Sequence, residues 1–462
     1  MDGRPTGDVA IRVPPVVRDL LATLWSAGHA AYVVGGSLRD ALLGRPADDW
    51  DFATDALPEE TLAAFPGAVY ENRFGTVAVR RDGEVFEITT FRSDHDYADF
   101  RRPHHVEFGD SLEQDLARRD FTVNAMAWGA PAAAEGAVAP PEPRLVDPFD
   151  GRADVAAGRL RAVGDPVKRF EEDALRMIRA VRLAAVLDFE IEPATLAAIE
   201  ARAGLSRHLS AERIATELGK LLGVPDPTRG LRLLADTGLL AAIAPELAAQ
   251  RGVVQNKVPG EDLWDHTVRS VAATPANRPI LRLAALLHDL GKPATAADGH
   301  FYGHERVGAE HAARFLERLH YPRAVIDRVT ALVRHHMFAY ERSWSDAAVR
   351  RFIGKVGRDA LDEQLALREA DNIGSGLEPD AAGLAELRRR IETELDSDLV
   401  LDRRNLAIDG GDLITELGLP PGPTVGRLLE ELLERVIQDP TLNDRPTLLL
   451  LGRSLLESEP GA

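Results

Sequence analysis

The sequence predicts an α+β chain: a small N-terminal unit of mixed α/β structure, followed by an extended and almost wholly helical remainder. Two observations predict it. Strand-like and helix-like segments alternate only in the first part of the chain. Beyond about Val163 no further strand is expected, and apolar residues recur at helical spacing, as in Leu175, Ile178, Val181 and Leu183 and again in Leu218, Leu221 and Leu222.

Taken in order, Ala31 to Val34 is a short apolar strand and Ser37 to Leu43 a helix. Val77 to Val79 and Val85 to Ile88 are further strands, parted by the turn Asp82-Gly83. Ala130 to Pro143 is rich in Ala and Pro and reads as a surface insertion or linker. A Gly/Pro break at Leu419 to Gly426 interrupts the helical tail, where Leu428, Leu429, Leu432 and Leu433 have the spacing of core residues. No internal repeat is evident.

Composition bounds the function. At roughly 100–200 residues per domain, 462 residues make two to four domains, and 45% hydrophobic residues make them globular. The absence of cysteine excludes a disulfide framework, thiolate zinc sites and cysteine nucleophiles, and suits a reducing cytoplasm. Met1 to Pro15 lacks the apolar core of a signal peptide, and no later segment reaches the roughly 18 continuous apolar residues of a membrane span. The net charge of −19, from 74 acidic and 55 basic residues, argues against a protein that coats nucleic acid nonspecifically. A local basic patch is present all the same: Arg92, Arg101, Arg102, His104, His105, Arg118 and Arg119 fall in one short stretch.

Two constellations carry the chemistry of the first part. Val33-Val34-Gly35-Gly36-Ser37-Leu38-Arg39-Asp40 gives strand, glycine turn and helix start in order. Such a turn lets a phosphate approach the backbone, and Arg39 adds a charged fork for its oxygens. Asp49-Trp50-Asp51 follows. In a strand, residues i and i+2 face the same side about 6.6–6.8 Å apart, so both carboxylates can hold magnesium ions in a two-metal site. Glu87, flanked by apolar residues, is equally a third carboxylate or the solvent-facing member of an alternating strand.

Further on, Asp115 to Ala125 is dense in polar groups. Arg119 can hold a triphosphate, while Asp120 and Asn124 can form a buried network joining helix to sheet. In Glu172-Asp173-Ala174-Leu175-Arg176, Asp173 and Arg176 are neighbours on a helix. They form either a plain salt bridge or a base reader. Cytosine and adenine both show an amino donor beside a ring-nitrogen acceptor; an aspartate accepts from the first and an arginine donates to the second. Uracil and guanine mismatch both, so the pair accepts CTP and ATP and refuses UTP and GTP. Arg179 and Arg182 continue at steps of three toward phosphates.

Together these residues resemble the class II CCA-adding tRNA nucleotidyltransferases of the DNA polymerase beta superfamily. The matching pieces are Gly35 to Asp40, Asp49-Trp50-Asp51, Arg118 to Ala125 and Glu172 to Arg176, with Val163-Gly164-Asp165-Pro166 and Arg169-Phe170 as the lead-in to the base-reading helix. They run in order from about residue 30 to 220. Family members usually carry other residues at Ser37 and Leu38. The resemblance implies magnesium ligands and catalytic residues at Asp49 and Asp51. It implies nucleotide contacts at Gly36, Arg39, Arg119, Asp173, Arg176, Arg179 and Arg182, with tRNA, CTP and ATP as partners and neither DNA nor membrane.

A third constellation gathers many of the 13 histidines. Trp264-Asp265-His266-Thr267, Leu287-His288-Asp289-Leu290-Gly291-Lys292, Gly303-His304-Glu305, Arg334-His335-His336 and Glu369-Ala370-Asp371-Asn372 resemble the HD-domain phosphohydrolases. That resemblance implies a divalent metal, of unidentified kind, held by His266, His288, Asp289 and Asp371. A two-metal version would add His304 with His335 or, instead of it, His336. The tail around Gly411 to Ile414 and Pro421 to Gly426 resembles the C-terminal part of the same family branch. The implied layout is a nucleotidyltransferase head over 1–150, a helical neck over 151–255 with the base-reading helix and an RNA-binding role, an HD domain over 256–376 and a helical tail over 377–462. The expected activity is addition or repair of the 3′-terminal CCA of tRNA in the cytoplasm. The alternatives are a bacterial poly(A) polymerase, an HD phosphohydrolase of RNA ends whose head only binds nucleotide, and a noncatalytic tRNA-binding protein.

Overall fold

Helix α1 (Pro15–Ser26) begins with a proline at its first position, where the missing N–H costs nothing. It buries Val17, Leu20, Leu21 and Leu24 against one face of a sheet. This computed structural model describes residues 11–47, 49–72, 75–98, 102–109, 111–132, 142–255, 257–396 and 401–458, and the side chains of 71–72, 93–98 and 102–107 are outside the description. The chain forms two compact units, Met1–Pro245 and Glu246–Ala462.

In the first unit, β1 (Ala31–Val34), α2 (Gly36–Leu42), β2 (Asp51–Thr54), α3 (Pro58–Ala64), β3 (Val69–Asn72), β4 (Thr76–Arg81) and β5 (Glu84–Thr90) follow one another. The hairpin β6 (Arg92–Ala98) and β7 (Arg102–Phe108) comes next, then α4 (Leu112–Ala117), β8 (Ala127–Ala130) and β9 (Arg144–Val146). The seven-stranded sheet runs β3-β4-β5-β2-β1-β8-β9. Its pairs are antiparallel except for β2 with β5. The turn expected at Asp82-Gly83 joins β4 to β5, with both residues at positive φ (52° and 87°) as a tight hairpin requires. Strand β1 is apolar throughout because both its faces are covered. Ala31 and Val33 join the α1 side, and Tyr32 and Val34 join a second core with Ala53, Leu112 and Leu116.

The sheet gives way to α5 (Gly151–Ala157), β10 (Arg159–Leu160), α6 (Pro166–Glu172), α7 (Leu175–Leu187), β11 (Glu190–Ile191), α8 (Pro193–Arg202), α9 (Ala211–Leu222), α10 (Thr228–Asp236) and α11 (Leu239–Ile243). Strand β11 corrects the expectation of no strand after Val163. It is a two-residue parallel pairing with β10, too short to show a period of two. Leu175, Ile178, Val181, Leu183, Leu218, Leu221 and Leu222 are buried as their spacing predicts.

The short helix α12 (Pro245–Ala248) straddles the division between units. The second unit continues with α13 (Leu263–Ala272), α14 (Pro279–Leu287), α15 (Lys292–Thr295), α16 (His304–Arg318), α17 (Arg323–His335), α18 (Asp346–Val356), α19 (Leu361–Gly374), α20 (Leu384–Leu395), α21 (Gly410–Leu417), α22 (Pro423–Gln438) and α23 (Arg445–Ser458). Leu428 and Leu432 are buried in the tail core, with Leu429 and Leu433 packed against it. No helix among the described residues is long and apolar enough to cross a membrane. Most of the expected insertion, residues 133–141, lies outside the described residues, as do Arg101 and the side chains of Arg102, His104 and His105.

Asp154 on α5 is fully buried and binds three elements together. It accepts from Thr122 Oγ1 (2.6 Å), Arg159 Nε (2.6 Å) and Arg161 Nε (2.9 Å). Asp154→Ala leaves the buried Thr122 hydroxyl without its acceptor, while the partly exposed Arg159 and Arg161 can turn to water, and is expected to cost the first unit about 2 kcal/mol. A urea melt by far-UV circular dichroism should show its transition at lower denaturant, with the second unit's unchanged.

Candidate functional site

Asp49 and Asp51 flank the buried Trp50, and Asp51 opens β2 on the face it shares with Ala53. The Ser37 hydroxyl at the start of α2 donates to the Asp49 carbonyl and ties the glycine turn to the acidic segment. Gly35, at φ 81°, lies so close to the site that a Cβ there would stand 3.1 Å from Arg119 Nη1 and 3.3 Å from Asp51 Oδ2. Glu87 on β5 is the register partner of Asp51. Burial, with the charges of Asp49 and Glu87, pushes the Asp51 carboxyl up to about 6, while Arg119 pulls it down. Carboxylates gathered this way raise one another's proton affinity unless a cation joins them, so the set fits a divalent metal. Arg119 has a buried Nε without a hydrogen-bond partner beside it.

The arginines expected at the nucleotide all have protein partners. Arg39 Nε and Nη2 donate to the two carboxylate oxygens of Asp40 (2.9 Å each), and its Nη1 donates to Asn124 Oδ1 (2.6 Å). Asn124 Nδ2 donates to Asp120 Oδ1 (3.0 Å), and Arg179 donates to Asp120 Oδ2 through Nε (2.8 Å) and Nη2 (2.7 Å). Burial opposes the Asp120 charge, but Arg179 and Asn124 hold its carboxyl far below the ordinary range. Arg119 donates to Asp115 Oδ2 (3.3 Å), and Arg182 Nε to Glu217 (2.6 Å).

The structure does not pair Asp173 with Arg176 as neighbours on one helix. Asp173 stands between α6 and α7, where Oδ1 accepts from Leu175 N (3.0 Å) and Oδ2 from Arg213 Nη2 (2.7 Å). Arg176 Nη1 donates to Glu172 Oε2 (2.6 Å) and the Arg169 carbonyl (3.0 Å), and Nη2 donates to the Arg118 carbonyl (2.9 Å). The lead-in works through Asp165, which caps α6 at Val167 N (2.9 Å) with Pro166 behind it.

In the second unit, His266 on α13, His288 and Asp289 after α14, His304 at the head of α16, His336 after α17 and Asp371 on α19 converge. All are buried. An Asp262–Asp265 capping box fixes the start of α13. Gly374 lets α19 approach α13 so closely that a Cβ would stand 3.0 Å from the His266 carbonyl and collide with the Ser270 hydroxyl. His266 Nε2 lies 3.1 Å from His288 Nε2, 3.2 Å from Asp289 Oδ2 and 3.3 Å from Asp371 Oδ1. His304 Nε2 lies 3.3 Å from both Asp289 Oδ1 and His336 Nε2. His336 takes the place offered to either it or His335; His335 is half-buried and outside the cluster.

The outer hydrogen bonds decide what this cluster can hold. Nδ1 of His288, His304 and His336 each faces a backbone carbonyl, of Ala285 (2.8 Å), Phe301 (2.7 Å) and Val333 (2.6 Å). That fixes the proton on Nδ1 and aims the Nε2 lone pairs inward, as in metal-ligating histidines. Asp289 Oδ1 is buried without a hydrogen-bond donor. Burial lowers the pKa of His288, while Asp289 and Asp371 hold that of His266 up against burial. The donor set fits a divalent metal: His266, His288 and Asp289 form one group that would hold an ion, and Asp289, His304 and His336 form another.

Residues 31–161 match the poly A polymerase head domain family. Residues 188–251 match the "Probable RNA and SrmB-binding site of polymerase A", and 304–451 match tRNA nucleotidyltransferase domain 2. The CCA-adding enzyme of Geobacillus stearothermophilus is 34% identical over 428 residues, which cover 92% of this chain and 93% of that one. The chain belongs to the CCA-adding enzyme family. The CCA-adding enzyme of Streptococcus thermophilus is likewise 34% identical over 440 residues, covering 94% and 96%. The crystal structure of the Bacillus stearothermophilus CCA-adding enzyme in complex with CTP matches with TM-score 0.68 at 32% identity, covering 96% of this chain and 99% of that one.

Within this CCA-adding family chain, sequence reasoning missed Arg213 and Glu217 on α9. For Glu217 a signal was present: Ile214, Glu217, Leu218 and Leu221 form one buried stripe at helical spacing, and an acid in such a stripe announces a buried ion pair.

The folded pKa of Asp51 lies above its unfolded value, so the folded state holds the extra proton between about pH 4 and pH 6 and loses stability as pH rises through that window. With divalent metal chelated, Asp51→Asn is expected to be the more stable protein above pH 6, by on the order of 1–2 kcal/mol, and to lose that advantage near pH 4. Urea melts at pH 4 and pH 7.5 in EDTA measure it; a less stable variant at pH 7.5 contradicts the electrostatics.

Proposed function

We infer that this chain is a tRNA nucleotidyltransferase that adds or repairs the 3′-terminal CCA from CTP and ATP without a nucleic-acid template. The observation that carries the reading is the acidic cluster of Asp49, Asp51 and Glu87 with Arg119 alongside, in a chain of this family. We propose magnesium at Asp49 and Asp51, where it supplies activation of the attacking hydroxyl and stabilisation of the leaving oxygen. Gly36 and Arg119 receive the triphosphate, and Arg39, Arg179 and Arg182 set the positive field around it. The work is proposed to be divided among a head (1–150), a neck (151–255), an HD domain (256–376) and a tail (377–462), acting on tRNA in the cytoplasm.

Base selection is proposed to rest on Asp173 and Arg176. Each Asp173 oxygen accepts one bond in the free protein and has a second lone pair for the base amino group. Arg176 has three of its five N–H groups in the bonds described above, which leaves capacity for a ring nitrogen.

The test is incorporation into tRNA ending before CCA, with each NTP in turn. CTP and ATP should be used and UTP and GTP refused by 100-fold or more, on the order that unmatched buried polar groups impose. Asp49→Ala and Asp51→Ala should each lose about 1,000-fold or more, as expected when the metal clamp is removed. Incorporation of ATP alone, in long runs, identifies a poly(A) polymerase instead.

A second site is favoured by the inward-facing histidines. We propose that His266, His288, Asp289 and Asp371, with His304 and His336, hold a divalent metal for phosphohydrolase chemistry on phosphate esters. Metal analysis after dialysis should find a tightly held divalent ion in the parent and in Asp51→Ala, and none in Asp289→Ala. Equal metal in all three rejects the site.

A further inference from the structure

A cavity of about 540 Å³ opens beside the histidine–aspartate cluster of the second unit. Its depth is polar: Asp289, His304, His336 and Asp371 line it together with Lys257, Lys292 and Arg368. These cations brace the carboxylates. Lys292 Nζ lies 2.6 Å from Asp289 Oδ2, Arg368 Nη1 lies 2.8 Å from Asp371 Oδ2, and Lys257 Nζ lies 3.6 Å from Asp371 Oδ1. Three cations against two carboxylates leave the lining positive before any metal is counted, which selects an anionic ligand.

The mouth has a different chemistry. Tyr302 is 81% exposed yet lines the cavity, and its ring stacks on that of His300 at 5.3 Å and 19°. The stack is built by the loop that carries it. Asp298 (φ 51°) and Gly299 (φ 78°) make a tight turn closed by Ala297 and His300, whose backbones exchange bonds of 3.0 and 2.8 Å. Phe301, between them in sequence, has its ring centroid 5.6 Å from Lys292 Nζ. His304, next along the chain, fixes its ring on the Phe301 carbonyl. One short loop therefore carries a cluster histidine at its end and an open aromatic face at its crest. Met337, half exposed, adds apolar surface to the same mouth.

We propose that this cavity binds a nucleoside phosphate, with the phosphate at the cationic metal-binding floor and the base stacked on Tyr302. The proposal rests on reading the cluster as a phosphohydrolase centre and adds what that reading lacks, a residue that recognises the organic part of the ester. The volume is that of a small-ligand site, and an aromatic face takes any base because every base has a π-face. His300 holds the Tyr302 ring in place, so the stack is preorganised.

The test compares AMP with ribose 5-phosphate, which differ only by the base. Binding is measured by calorimetry on the full, metal-loaded chain. Asp289→Ala is run in parallel so that AMP bound elsewhere can be subtracted. AMP should bind at the cavity about tenfold or more tighter than ribose 5-phosphate. Tyr302→Ala should erase that ratio, Tyr302→Phe should keep it, and ribose 5-phosphate should bind all three alike. An RNA oligonucleotide with a terminal phosphate, tried in the same way, distinguishes a chain end from a free mononucleotide by whichever binds tighter and weakens in Tyr302→Ala. If ribose 5-phosphate binds in an Asp289-dependent way but the AMP ratio is unchanged by Tyr302→Ala, the stacking proposal is overturned and the phosphate centre stands. If neither compound shows Asp289-dependent binding, the centre itself is rejected and the stacking role with it.

Discussion

The buried carboxylate of Asp120 is the constraint on which the first unit's site depends. It accepts from its own neighbour Phe121 N (2.9 Å), from Asn124 and from both sides of the Arg179 fork. Asn124 in turn accepts from Arg39 on α2. Three segments distant in sequence thus close on one charge: the helix after the glycine turn, the segment before β8 and helix α7. A buried ion pair broken on one side costs several kcal/mol, so α7 cannot drift from the end of the central strand β2 that carries Asp51. The acidic cluster around Asp51 and the segment proposed to read the base are held in one frame by a residue that does not belong to either.

The two clusters of acids solve opposite electrostatic problems. At Asp51 the carboxylates stand near one another, with Arg119 as the countercharge, and the pKa rises to about 6. At Asp289 and Asp371 burial also pushes upward, yet histidines and lysines hold both carboxyls well below the ordinary range. The first arrangement is relieved by an added cation and suits ions that come and go with a substrate. The second is already compensated, with its imidazoles locked by backbone carbonyls, and suits an ion that stays.

Much of the fold was legible in the sequence because its signals are local. The strand Ala31–Val34, the Asp82-Gly83 turn and the apolar spacing of α7 depend on near neighbours, and the structure has them. Strand β11 was not legible, since two residues paired to a distant partner leave no periodic trace. The same division runs through the candidate sites. Asp49-Trp50-Asp51 reads as a candidate metal pair because the glycine turn stands just upstream, and His288-Asp289 as candidate ligands through the resemblance to the HD-domain phosphohydrolases. The choice of His336 over His335 turns on which side of the end of α17 faces Asp289 Oδ1, 3.7 Å from His336 Nε2, and a dipeptide does not encode that. Arg213 was invisible for a like reason, 40 residues from the aspartate it binds.

Arg213 alters how base selection by Asp173 would work. In an i, i+3 helical pair the two readers would neutralise each other, and a base would have to break their bond to enter. Here each has a different protein partner: Asp173 has Arg213, and Arg176 has Glu172 and two carbonyls. On the proposed reading the cost of orienting both readers is therefore met in the folded protein before a nucleotide arrives. Cytosine or adenine adds a donor to Asp173 and an acceptor to Arg176 without dismantling anything. Uracil or guanine sets a carbonyl against a carboxylate already fixed by Arg213 and an N–H against a guanidinium already fixed by Glu172. Neither side chain can turn away without giving up its own partner, so rejection follows from the rigidity of the pocket more than from the strength of the correct contacts.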